Sequence, residues 1–404
     1  MMTTRIAEAW LLLTGAAALV LLGASIAGIP WSPWLLVLAL PVLWVVFRRP
    51  SALHGLESAS SRSGARVVSI LADVFTVALI GGYTRLAAAA PPFENDYLLI
   101  WGVKGKEFFF ERGIDWSWLE APLNHTAHSD YPVLLPLVYD AFALLAGAWP
   151  DRWLGLVTAA YGVAALLVVR GALDEEIPRP WPALATAALM PLVFSPYVGL
   201  AEAPVIAYGL AGLLFIRRGA TLRGAVYLGL AAFTKNEGLT LIIATAIALV
   251  AARRSRELPR LWPALAIPLP WLVLRHLHHL QNDLMISGVV DRLLGRLADP
   301  WPVFAAMGRH PAGTLLFWAG AAVALLLGWR RLVGEERFFT VAVTVQLAFF
   351  IAAYFVSPRE LEWHVQWSWE RIVRQVMPAV ALLAVLVHQD LVARTQERGV
   401  AMPP

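Results

Sequence analysis

Residues 202–254 read EAPVIAYGLAGLLFIRRGATLRGAVYLGLAAFTKNEGLTLIIATAIALVAARR, three apolar runs punctuated by Arg217-Arg218 with Arg223, by Thr234-Lys235-Asn236-Glu237-Gly238, and by Arg253-Arg254. The runs are near-continuous in apolar character and lack the alternation of faces that a soluble helix or strand carries. Arginine-rich short loops stay on the cytoplasmic side of a membrane. Two such loops flanking a pair of apolar runs make that pair a hairpin, whose tip at 234–238 reaches the outer side. The stretch predicts antiparallel membrane helices with arginine at one end and Glu202, Lys235 and Glu237 at the other.

The same reading extends outward over the chain. It has 404 residues, 59% of them hydrophobic, and a mean hydropathy of +0.65. Apolar runs predict spans at 6–28, 33–47, 67–90, 153–170, 181–199, 203–216, 222–236, 238–252, 261–275, 313–329, 338–357 and 373–392. The first run, with no small-residue cleavage site, reads as a retained span and not as a signal peptide. The run 133–149 would put the loops at Arg217 and Arg253 outside if it crossed. It is therefore expected to lie at the outer interface, entered through Pro132 and Pro136 and anchored by Trp149. The loop 170–180, with Arg170 and Arg179 but also Asp174, Glu175 and Glu176, then falls inside with the arginine loops.

The expected class is an all-α polytopic membrane protein of about 12 transmembrane helices, with interfacial helices in its outer loops and both termini cytoplasmic. Residues 1–66 supply two N-terminal helices and a basic loop. Residues 67–392 form the main membrane body, with outer loops 91–132, 276–312 and 358–372, and 393–404 form a tail. Absence of cysteine excludes disulfides, thiolate metal sites and a thiol nucleophile. The net charge of +4, with arginine gathered in loops, describes topology and not a nucleic-acid footprint. No Gly-rich phosphate loop, Ser-His-Asp order or nucleotide fingerprint occurs. That argues against an ATP-driven pump and against a cytoplasmic sugar-nucleotide enzyme.

On this topology the chemistry-bearing residues collect on the outer side, with all three lysines, Lys104, Lys106 and Lys235. Glu94-Asn95-Asp96 follows a span, and ionisable groups at a membrane edge mark function by default. A carboxylate there can take a proton from a hydroxyl, and Lys104 can hold an anion; the plainer reading is a helix N-cap. His125, His128 and Asp130 end the same loop, a weak metal pattern without a helix to fix its spacing. Lys235 and Glu237 either pair with one another or line a cavity. Glu202 reads equally as a solvated cap or a site carboxylate. His364, Trp367, Trp369, Glu370, Arg371, Arg374 and Gln375 open the last span, with Arg371 and Arg374 on one helix face suited to a phosphate. His276, His278, His279 and Asp283 open a second outer loop, read as a solvated turn or a lid.

In order along the chain, these pieces resemble the GT-C superfamily of integral-membrane glycosyltransferases, in the branch of protein O-mannosyltransferases and bacterial lipid A aminoarabinose transferases. The resemblance covers about residues 67 to 392. It rests on Glu94-Asn95-Asp96, on Asp130-Tyr131-Pro132-Val133-Leu134-Leu135-Pro136, on Glu202-Ala203-Pro204, on Thr234-Lys235-Asn236-Glu237-Gly238, and on Glu370-Arg371 through Pro378. The spans 6–28 and 33–47 precede the family-like part, and no soluble C-terminal domain like the family's is visible, which leaves the acceptor class open.

The resemblance implies transfer of a sugar from a polyprenyl-phosphate donor to a glycan, lipid or protein acceptor at the outer face of the plasma (inner) membrane. Asp96 would be the general base, with Glu94 second, and configuration would invert. Lys235, Arg371, Arg374 and Lys104 would face the phosphate. His128, Asp130, Tyr131, Glu202 and Glu237 would orient sugar or acceptor, with Trp367 as a stacking surface. No metal ligand set is expected; a divalent cation is admitted without being required. The competing reading is a transporter or flippase of a lipid-linked or amphipathic anion, which would use the same cavity without chemistry.

Overall fold

A backbone without water must satisfy its own hydrogen bonds, and an apolar run does so as a helix. In the computed structural model residues 2–48, 63–194, 198–280 and 287–388 are described, and every regular element among them is helical. The first six main helices are α1 (Met2–Ile26), α2 (Pro41–Arg48), α3 (Ser63–Ala89), α4 (Gly102–Glu111), α5 (Leu134–Ala146) and α6 (Gly155–Glu176). The central group is α7 (Trp181–Val193), α8 (Glu202–Arg217), α9 (Thr221–Thr234), α10 (Asn236–Ala251) and α11 (Leu269–Leu277). The last are α12 (Leu315–Leu327), α13 (Arg337–Val356), α14 (Leu361–Arg374) and α15 (Met377–Leu386).

Four helical segments are long and apolar enough to cross a membrane: Thr4–Ile26, Gly64–Ala89, Asp151–Glu176 and Arg337–Val356. Several other expected spans form as shorter helices, and two are broken by proline, which lacks an amide hydrogen and clashes with the preceding turn. The run 33–47 divides into a 3-10 stretch, Pro33–Ala39, and α2 beginning at Pro41. The run 261–275 divides into Trp262–Ala266 and α11, on either side of Pro268. The run 373–392 begins as helix only at Met377, with its last residues outside those described. The loop 49–62 and the tail from 389 also lie outside them.

The centre is α8, buried along its whole length from Glu202 to Ile216. Helix α9 packs closely against it because Gly212 and Gly224 face each other; a β-carbon on Gly224 would come within 2.5 Å of the Gly212 carbonyl. At the periphery α3 presents Val67, Leu71, Val74 and Val77, and α12 presents Leu315, Leu316, Leu326 and Leu327, all exposed. Apolar surface of that extent in a water-soluble fold would aggregate, whereas in lipid it costs nothing.

The N-terminal helix is integral to this core. Tyr208 of α8 and Tyr161 of α6 meet Thr14 of α1 through their hydroxyls, at 3.0 and 2.9 Å. Helix α5 differs from its expected setting as a surface-lying helix. Val133, Leu134, Leu135, Leu137, Val138 and Tyr139 are fully covered, because α1 and α4 close over it. Part of that cover comes from the N-terminal helix.

Charge sorts to two ends. At 1.5 Å per residue, Glu202 and Arg217 stand about 22 Å apart along α8. At the Arg217 end, Glu176 of α6 accepts from Arg217 at 2.6 Å and from Arg218 at 2.7 Å, and Glu336 accepts from Arg217 Nε at 2.7 Å. Glu175 takes Arg218 Nη1 at 2.7 Å, and Glu257 takes Arg254 at 2.7 Å. The acids of the mixed loop 170–180 therefore sit among the arginines, as the charge count required. The Glu336 side chain is only 2% exposed. Replacing Arg217 with methionine should strand it and cost about 3–5 kcal/mol, read as a large drop in the unfolding midpoint in detergent. Lys106→Ala, at an exposed pair with Asp151, should change stability by no more than about 0.5 kcal/mol.

Candidate functional site

The opposite end is assembled from four separated parts of the chain. Helix α8 begins at Glu202, in the first turn, where a carboxylate is favoured by the free amides. Between α9 and α10 the backbone opens at Lys235 (φ −156°, ψ 151°) and re-enters helix at Asn236. Gly238 lies so close to the carbonyl carbon of Ala231 (2.3 Å from an added β-carbon) that only glycine lets the two helices converge there. The third part is the turn from Asn95 into α4, which widens to a π-helix over Tyr97–Trp101 immediately after Asp96. The fourth is α14, which carries Arg371.

These parts meet in one chain of alternating charges. Asp96 accepts from Arg371 Nη2. Arg371 also donates to Glu202 Oε1, at 3.3 Å from Nη2 and 3.4 Å from Nε. Lys235 Nζ lies 3.1 Å from Glu202 Oε1 and 3.0 Å from Glu237 Oε1. The order is Asp96, Arg371, Glu202, Lys235, Glu237. Exposure is 23% at Asp96 and 20% at Arg371, falls to 2% and 4% at Glu202 and Lys235, and rises again to 17% at Glu237, so the chain is closed in its middle and most open at Asp96. Burial alone would make Arg371 a weaker cation, but Glu202 and Asp96 outweigh it and raise its pKa further. The Asp96 side chain makes no cap hydrogen bond; it is spent on Arg371.

A second group flanks the first. Asp130 Oδ2 accepts from Asn236 Nδ2 at 3.3 Å and stands 3.8 Å from Arg275, while its carbonyl accepts from Trp271 Nε1 at 3.2 Å. Tyr131 stacks on His128 at 4.6 Å. His128 takes a left-handed backbone (φ 48°), strained for a side-chain-bearing residue. Lys104, fully buried, holds that turn by donating to the His128 carbonyl at 2.5 Å, with the Trp101 and Tyr131 rings each 5.9 Å from its ammonium.

Of the expected site residues, Asp96, Glu202, Lys235, Glu237 and Arg371 thus join directly, with Asp130 and Tyr131 against them. Lys104 and His128 lie one layer behind and shape the loop. Glu202 is enclosed between two cations, which suits it to aim them. Arg374 turns to Glu370 at 2.7 Å, Trp367 is 57% exposed one helical turn from Arg371, and Glu94 is half-exposed. Of the second outer loop, His278 is held by Glu120 at 2.6 Å and lies flat on Trp116 at 3.9 Å. Asp283 lies outside the described residues. Among the described residues no three His, Asp or Glu side chains gather into a metal-holding set.

Below Glu237 a narrow cleft opens between α8, α10, α13 and α15, walled by Val205, Leu213, Leu241, Val343 and Phe350. Gln346 and Gln375 are its polar members besides Glu237. Gln346 donates to the Glu237 carbonyl at 3.1 Å, and Gln375 is buried with both amide atoms unpartnered. Gln375 belongs to the group expected to open the last span, whereas Gln346 was not singled out in sequence. A lone polar residue within the span 338–357 was the available signal for Gln346.

Comparison with protein-family models, curated proteins and solved structures finds no match for this chain.

Two measurements test the site as built. Lys235→Met should leave Glu202 buried and half-compensated, lowering stability by about 3 kcal/mol, and Glu202→Gln added to it should restore most of that loss. His364 on α14 is held neutral: burial, then Arg359 and Arg296, push its pKa down from 6.5 to about 4. A histidine with a lowered folded-state pKa makes stability fall as pH drops from 6.5 toward 4. The unfolding midpoint should follow that slope, and His364→Gln should flatten it.

Proposed function

We propose that the protein is a polytopic membrane glycosyltransferase of the GT-C kind, transferring a sugar from a polyprenyl-phosphate donor to an acceptor hydroxyl. The proposed site lies on the face opposite the arginine loops, the outer face of a plasma membrane crossed about twelve times with both termini inside. The observation that carries this reading is the pair of cations, Lys235 and Arg371, that Glu202 holds together beside the carboxylate of Asp96. Two cations at a membrane edge suit an anionic headgroup, and the buried Gln375 amide, four residues beyond Arg371, is without a partner.

The chemistry follows from the order of charges. Fully ionised, the chain holds three carboxylates against two cations, so an incoming phosphodiester competes with Asp96 for Arg371. Displacement frees Asp96 at the reachable end of the chain. The acceptor oxygen attacks the anomeric carbon, its proton passes to Asp96, and the bond from that carbon to the phosphate oxygen breaks. The electron pair leaves with the polyprenyl phosphate, whose added negative charge Arg371 and Lys235 stabilise. Attack opposite the leaving group inverts configuration, and one base suffices. Glu202 keeps both cations aimed, while Tyr131 and Asp130 border the space beside Arg371.

The test is a transfer assay with purified protein, radiolabelled polyprenyl-phosphate sugars and membrane extract as acceptor. A general base contributes roughly 10²- to 10⁴-fold, so Asp96→Asn should lose that much turnover. Donor binding by Asp96→Asn should be at least as tight as wild type, because the competing carboxylate is gone. Weaker donor binding in Asp96→Asn would contradict the displacement step. Transfer that survives in Asp96→Asn would move the base to Glu94. Donor binding without turnover over a broad sugar panel would favour a transporter.

A further inference from the structure

At the arginine end, on the far side of α9 from the charge chain, α1, α2 and α9 enclose a second space of about 650 Å³. Its walls are apolar, among them Leu19 of α1, Val42 of α2, and Val226 and Leu230 of α9. The pairing of Glu8 with Arg223, and of Gly15 with Leu230 seven residues further on, sets α1 and α9 parallel. The groove therefore runs up from Arg223 past Leu230, about 10 Å along the helix, within the roughly 15 Å depth of one hydrocarbon leaflet.

The lower end of this groove is basic. Arg223 and Arg260 both line it. Arg48 closes α2 nearby, stacked on Trp44 at 4.5 Å, and Arg5 ties the two helices by donating to the Phe47 carbonyl at 3.4 Å. The acids in reach are already matched: Glu8 by Arg223, and Glu257 by Arg254 at 2.7 Å. Arg260 is exposed and shares Glu257 with Arg254, so three arginines, Arg223, Arg254 and Arg260, face two acids and the groove mouth is net positive. An apolar trough ending in net positive charge at the depth of a headgroup fits one kind of occupant.

We propose that this groove is a binding site for a phospholipid with an anionic headgroup, one acyl chain lying along α1 and α9 and the headgroup phosphate beside Arg260 and Arg223. Such a lipid would wedge the N-terminal helices onto the core, at a place separate from the charge chain beyond α9. The site is independent of the transferase reading.

The test uses native mass spectrometry of the full chain in detergent, titrated with phosphatidylglycerol, with phosphatidylcholine of identical chains, and with inorganic phosphate. One phosphatidylglycerol should bind at least about five-fold tighter than phosphatidylcholine, given roughly 1 kcal/mol for a basic residue near an anionic lipid. Arg260→Gln, at an exposed position, should erase that preference while the protein stays folded by circular dichroism. Ala16→Phe, which fills the trough, should weaken both lipids together. Equal binding of the two lipids, or a preference that survives Arg260→Gln, would overturn the proposal. Binding of inorganic phosphate as tight as that of phosphatidylglycerol would reassign the arginines to a soluble anion.

Discussion

A carboxylate at the head of a helix that is buried from end to end cannot stand alone. Taking one charge out of water costs several kcal/mol unless opposite charge comes to it, and Glu202 is that charge. Everything at this end of the molecule is arranged around it. The break between α9 and α10 delivers Lys235, and the close passage permitted by Gly238 brings that break down beside the carboxylate. Helix α14 delivers Arg371 from 169 residues away in sequence. Arg371 in turn has a second side, and Asp96 occupies it. The site is thus organised from its most buried member outward, and Asp96 is the least enclosed of the five.

The same rule acts in mirror image at the other end. There Glu336 is the buried charge, and Arg217 comes to it from α8, shared with Glu176 of α6. Helices clamped by ion pairs at both ends leave their middles to apolar packing, where glycine pairs and the Thr14, Tyr161 and Tyr208 hydroxyls fix the register. The charge chain is thereby held against a rigid centre, the condition for electrostatic groups to act without reorganising.

Much of this was legible in the residues. Arginine counting put Glu202, Lys235, Glu237, Asp96 and Arg371 on one side, and they are found joined. The reason is general: in lipid, charge placement is so costly that sequence must declare it. What escaped the reading was enclosure. Nothing local in 133–149 says that α1 will cover it, because burial by a distant helix leaves no periodic mark. Prolines at 41 and 268 announced breaks, but an apolar run on either side masked them. Lys104 looked like a phosphate ligand because a lysine is conspicuous, and its carbonyl partner at His128 lies 24 residues away. The cation beside Asp130, Arg275, stood at the end of a presumed span and was read as its boundary.

Because Arg371 and Glu202 each serve two neighbours, the charge chain has no separable parts. Removing one member changes what the next is bonded to, so energies at these positions will not add in the way that distant sites do. The consequence is historical as much as energetic. A lineage cannot walk from this arrangement to another by single neutral steps; a carboxylate lost at one link leaves a cation stranded at the next. Variation here should come as matched exchanges, an acid and a base replaced together, while the apolar helices between the two ends drift freely around them.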